Sequence, residues 1–264
     1  MKNSIFFLLI LGFSAIVLFS SPVFSADDHS PANPLPSSWT PDLKITNLLA
    51  SDPALFKSKL ETSMRKLLQN PSSLSIELTP FNDTESSMGH YQKITLKVVR
   101  GEYDKLVLDK ADTEFLDVQL DTTKLVNEEK INTVKVKTVN MDVIILENDM
   151  NAFLNAKTDL ISVKNPQIKM KKDHLVLSGN AKYSFMKVKF WATGSLKVEG
   201  AKSIWFHPGK IKMNGLPLPR AFIGTLTKSI NPVLNLEKFP FQINLQDIHI
   251  ENGSLHFSSK QLNN

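Results

Sequence analysis

The sequence predicts an α+β fold: a long curved antiparallel sheet covered by two or three helices. Three observations predict it. An amphipathic helical stretch stands near residue 60, the hydrophobic period switches to two from Leu74 onward, and turn signals divide the alternating region into short strands.

The helix comes first. Ser51-Asp52-Pro53 offers an N-cap and an early proline. Phe56, Leu60, Met64 and Leu67 then recur at helical spacing, with Lys57, Lys59, Glu61, Arg65 and Lys66 on other faces, and Asn70-Pro71 ends the run, giving a helix over 52–69. The strands follow. Ile94, Leu96 and Val98 alternate with Lys93, Thr95 and Lys97. The same pattern continues through Leu116, Val118 and Leu120, through Val139 to Ile145, and through Met186, Val188 and Phe190. It closes with Ile248, Ile250, Leu255 and Phe257. The expected turns are Lys172-Asp173, Glu199-Gly200, Pro208-Gly209 and Asn252-Gly253. One apolar and one polar face per strand suits antiparallel pairing with water on one side. Two helical interruptions are expected. One is 147–155, with Asn148 as cap and Met150, Phe153 and Leu154 inward. The other is 219–230, with Phe222, Ile223, Leu226 and Ile230 on one stripe. These helices would cover the apolar face of the sheet.

The N-terminus reads as a secretory signal over 1–25. Met1-Lys2 is a short basic start, Ile5 to Phe19 is apolar apart from small residues, and Val23-Phe24-Ser25 before Ala26 presents small residues to a signal peptidase. The apolar run is shorter than the roughly 20 residues a spanning helix needs. Export out of the cytoplasm is the expectation. Residues 26–50 are expected as a Pro/Ser-rich linker, 51–259 as one α+β domain and 260–264 as a tail.

Composition narrows the function. Cysteine is absent, which removes a lipoprotein anchor, a thiol nucleophile and any thiolate metal site. The net charge of +5 is mild and loses only Lys2 with the signal. It serves solubility, and it also fits a peripheral, anionic membrane surface; nucleic acid is excluded, because the basic residues are scattered and the address is wrong. No HExxH, GxSxG, Walker or Rossmann motif occurs, so neither catalytic residues nor a cofactor are expected. His249 and Glu251 share a strand face and could share a metal. Without a third ligand in sequence, an exposed polar face explains them. Asp109 with Asp112, and Glu147 with Asp149, are explained by turn and helix-terminus chemistry.

The second half is rich in aromatic residues: Phe185, Phe190, Trp191, Trp205, Phe206, Phe222, Phe239 and Phe241. Most suit core packing. Trp191 follows Phe190 on an alternating strand, so either it points outward, beside Lys187 and Lys189, or the strand is apolar on both faces. That arrangement suits phosphate headgroups, and equally an ordinary solvated strand face.

Ile204 to Pro219 and then residues 230–258 carry a resemblance. The segment Pro232-Val233-Leu234-Asn235-Leu236-Glu237-Lys238-Phe239-Pro240-Phe241, and the strand pair ending Glu251 to Ser258, resemble the C-terminal signature of the LmeA-like phospholipid-binding family of exported bacterial proteins. Leu146 to Leu154 is similar to that family's central helix. Ser259 stands where many members have a second glycine. The resemblance implies binding of phospholipid or another envelope lipid, with no defined catalytic residues, and a curved sheet similar to tubular lipid-binding folds. Acyl chains would then lie in an apolar groove between helix 52–69 and the sheet, lined by Phe56, Leu60, Met64, Phe185, Phe190, Trp191, Phe222 and Leu226, with Lys187 and Lys189 at the headgroup. The alternative is an envelope scaffold or interaction module with a dry core. A hydrolase with a site assembled from distant residues is a third reading.

Overall fold

A computed structural model describes residues 39–260, apart from 157–162, 184–185, 214–215, 218–223, 225–226, 228–230 and 242. The chain runs α1 (Leu43–Ser51), α2 (Pro53–Leu67), β1 (Ser73–Pro80), α3 (Asp83–Ser87), β2 (His90–Tyr103), β3 (Leu106–Leu120), α4 (Thr122–Glu128), β4 (Thr133–Leu146) and α5 (Glu147–Ala156). Then come β5 (Val163–Lys171), β6 (His174–Tyr183), β7 (Met186–Glu199), β8 (Ser203–Met213), β9 (Leu216–Pro217), β10 (Leu234–Asn235), β11 (Asp247–Glu251) and β12 (Ser254–Ser258). The architecture is α+β, with antiparallel sheet curled into a half-barrel. Two hydrogen-bonded ladders build it, β1-β2-β3-β4-β12-β11 and β10-β8-β7-β6-β5.

Helix α2 forms where expected. Pro53 occupies its first turn, but Asp52 makes no side-chain capping bond, so the proline sets the start. Phe56, Leu60 and Met64 fall on one stripe and each keeps 1 % of its surface. Phe56 packs on Tyr91 at 4.8 Å between ring centroids. Each such burial contributes about 1.5–3 kcal/mol. Residues 43–50, expected as linker, are helical. Asp42 accepts hydrogen bonds from the Lys44 and Ile45 amides at 2.7 and 3.4 Å and starts α1, which buries Ile45 and Leu49. Two further short helices begin the same way, with Asn82 accepting from the Glu85 amide at 2.8 Å and Asp121 from the Lys124 amide at 3.1 Å.

Helix α5 starts at Glu147, one residue before the expected cap. Its polar residues hold the two ladders together. Glu147 accepts from the Met170 amide at 2.7 Å, and its own amide donates to the Gly253 carbonyl at 2.9 Å. Asp149 takes a two-pronged bond from Arg100 at 2.5 and 2.8 Å. Asn151 behaves like a short strand edge: its Oδ1 accepts from the Ile168 amide at 2.7 Å and its Nδ2 donates to the Ile168 carbonyl at 2.9 Å. Asn231 does the same to Phe206 on β8, at 2.7 and 2.9 Å.

The stretch 231–246 crosses from one ladder to the other. Leu234 pairs with Ile204 on β8. Further on, Phe241 stacks on Phe115 of β3 at 4.0 Å, and Thr133 donates to the Pro240 carbonyl at 2.8 Å. Ser259 closes the last strand by accepting from the Met141 amide at 2.8 Å and donating to the Val139 carbonyl at 2.7 Å. A glycine there would leave both backbone groups without these partners. Among the described residues, no helix is long and apolar enough to cross a membrane.

Candidate functional site

The alternation of β7 sets the site. Phe190 and Ala192 face the core at 3 % and 0 % exposure, and Lys189 and Trp191 face out. Trp191 keeps 40 % of its surface and is the one exposed large apolar side chain among the described residues of this ladder. It stands opposite Ser178 on β6 and Lys212 on β8.

The neighbouring strand is irregular here. Phe206 and Ile211 are five apart, yet both are buried. An odd separation on one face requires an extra residue in the ladder, and the register shifts between Ala192 and Gly194, within Pro208-Gly209-Lys210 of β8. The turn expected at Pro208-Gly209 is therefore a bulge inside a strand. A proline with no N–H to donate is tolerated at such a break. Gly194 allows the two strands to approach. A Cβ there would meet the Phe206 ring and lie 2.5 Å from the His207 carbonyl oxygen.

Bulge and indole enclose an open depression of about 660 Å³, lined by His174, Trp191, Thr193, Gly194, Ser195, His207, Pro208, Gly209 and Lys210. Its lining is mostly apolar, led by the Trp191 indole and the Pro208 ring, with Thr193 and Ser195 among them. Its rim is cationic or protonatable. Lys210 and, beside it, Lys212 are exposed. His174 Nδ1 lies 3.0 Å from the Lys172 carbonyl. His207 Nε2 lies 2.7 Å from Glu199 Oε1 but is not aligned for a hydrogen bond. A mostly apolar lining beside exposed lysines suits an amphiphile with an anionic head.

The residues expected to line a groove separate into three groups. Phe56, Leu60 and Met64 sit in the core with 1 % exposure, so no water-sized void adjoins them, and the groove expected between α2 and the sheet is closed along these side chains. Phe190 is likewise a core residue. Trp191 and Lys189 reach solvent on the outward face. Phe185, Phe222 and Leu226, the Lys187 side chain, and nearly all of the helix expected at 219–230, lie outside the described residues. Sequence reasoning missed His174, His207, Lys210 and Lys212. The Pro-Gly pair within an alternating run was the available signal.

Three of the carboxylates considered for catalysis, Asp109, Glu147 and Asp149, have structural partners. Asp109 lies 3.5 Å from Arg100. Burial pushes Glu147 up, but the Met170 amide, Lys169 and Lys171 outweigh it and leave its carboxyl below the ordinary value. His249 and Glu251 are joined by His256 from β12. Burial first, and then the neighbouring His249, hold the His256 imidazole below its usual value.

Residues 53–259 match the family of LmeA-like phospholipid-binding proteins. No curated protein and no solved structure matches the chain.

Proposed function

The chain belongs to the LmeA-like phospholipid-binding family, and from that membership we propose that it is an exported, non-catalytic protein that holds phospholipid at the outward face of β6, β7 and β8. The observation that carries this reading is the depression beside Trp191, mostly apolar in its lining, with Lys210 at its edge and Lys212 next to it. The indole and Pro208 take the first methylenes of an acyl chain, each buried CH₂ contributing about 0.8 kcal/mol. Lys210 and Lys212 meet the phosphate, each worth about 1 kcal/mol at an anionic surface. The signal-like residues 1–25 give the protein its address in the envelope. The absence of catalytic motifs in the sequence supports binding without turnover.

Vesicle flotation tests the proposal. The purified protein should float with vesicles containing phosphatidylglycerol, much less with pure phosphatidylcholine, and detach as salt rises. Equal and salt-independent recovery with both, or none with either, contradicts it.

A further inference from the structure

We propose that His249, Glu251 and His256 form a binding site for a divalent transition-metal ion of the Zn²⁺ class, independent of the lipid reading. The three residues lie on one face of the β11–β12 hairpin. Alternation puts His249 and Glu251 on the same side of β11, and the register sets His256 directly opposite His249. The other face carries Ile250, Leu255 and Phe257, all buried in the core, so the polar trio faces outward by necessity.

The geometry is that of ligands around a shared centre. The two imidazoles stack with centroids 4.8 Å apart and planes inclined by 19°. Glu251 straddles them, with Oε1 3.7 Å from His249 Nε2 and Oε2 3.7 Å from His256 Nε2. Those distances are too long for hydrogen bonds. They are close to the separation of about 3.3 Å between two ligands of a tetrahedral ion held at about 2.0–2.1 Å. One ligand atom from each residue lies within 4.8 Å of the others, so small side-chain rotations close the set. Ser254 Oγ, 3.0 Å from His256 Nε2, must yield that nitrogen to the ion. Two imidazoles and one carboxylate suit Zn²⁺, Cu²⁺ or Ni²⁺ rather than Ca²⁺ or Mg²⁺, and they leave a fourth position open to solvent.

The hairpin is already held in place. Gly253, at φ +86°, makes the two-residue turn with Asn252. The turn is tied to the β5–β6 hairpin by the Asp173 amide bonding the Ile250 carbonyl at 2.9 Å and the Gly253 amide bonding the Met170 carbonyl at 3.3 Å. Little ordering is left for the metal to impose.

The test is calorimetric titration of Zn²⁺ into untagged, chelator-treated full-length protein. One saturable site is expected, weakened more than about 100-fold by His256→Gln and by Glu251→Gln, since loss of a direct ligand should exceed the roughly 10- to 100-fold cost of losing a residue that merely supports one. Glu251 is 61 % exposed at its side chain, so its variant keeps the fold even if the histidine variant does not. Absence of saturable binding in the wild type, or unchanged affinity in Glu251→Gln and a folded His256→Gln, overturns the proposal.

Discussion

Trp191→Ala removes the aromatic surface that the lipid reading depends on. A tryptophan buries about 150–250 Å² when fully covered, and Trp191 presents 40 % of its surface to solvent. Covering that fraction with lipid removes about 60–100 Å² from water. At about 25 cal/mol per Å² this is about 1.5–2.5 kcal/mol, or about 10- to 70-fold in affinity. The assay is a partition measurement against vesicles containing phosphatidylglycerol, at fixed salt, with thermal unfolding recorded in parallel to verify that the variant is folded. A folded Trp191→Ala protein that partitions like the wild type refutes the assignment of this face.

Other outcomes follow from the same structure. Gly194→Ala forces a Cβ into the Phe206 ring and the His207 carbonyl; overpacking of this kind costs about 1–3 kcal/mol, which calorimetry should read as a fall in Tm of about 2–12 °C. Asn151→Ala strands the Ile168 amide and carbonyl, and at about 1–3 kcal/mol per unsatisfied group the urea midpoint should drop clearly, with Asn151→Asp intermediate because it keeps the acceptor. The Asp117 carboxyl is held below its ordinary value by hydrogen bonds from His90 and then Lys135. Its stabilisation is therefore present above about pH 3.9 and lost as pH falls through the lower folded value, so Asp117→Asn should flatten the acid limb of a stability–pH curve. Burial pushes Tyr91 up to about 12, and burial with Asp104 does the same for Tyr103; stability from these groups is present below about pH 10 and is lost towards pH 12, which ultraviolet titration of the phenolates reads directly.

How far the fold was legible depended on element length. Helix α2 and the hairpin at Asn252-Gly253 announced themselves through strong periodicity and turn chemistry. The five- to nine-residue helices α1, α3 and α4 did not. Their caps, Asp42, Asn82 and Asp121, are the same residue types that mark loops, and a run of one or two turns has too few apolar positions to show a period. Pro208-Gly209 misled for a related reason: the pair breaks a ladder equally well at a turn or a bulge, and only the return of Ile211 to the core tells them apart.

The candidate site was legible in part. Trp191 pointed outward because Phe190 pointed inward, a consequence of the strand period alone. The cationic rim was not readable, because it depends on which β8 residue opposes Trp191, and the bulge moves that register. The stripe of Phe56, Leu60 and Met64 was read correctly as apolar but assigned to lipid; an amphipathic face does not specify whether protein or acyl chain covers it, and here protein does. His256 was findable: a two-residue turn at Asn252-Gly253 fixes the pairing of His249 with His256 by counting outward.

The most direct test of phospholipid binding is mass spectrometry of an organic-solvent extract of the protein purified from its own cells. Phospholipid in stoichiometric amount is expected, reduced in Trp191→Ala. A lipid-free extract from folded wild-type protein contradicts it.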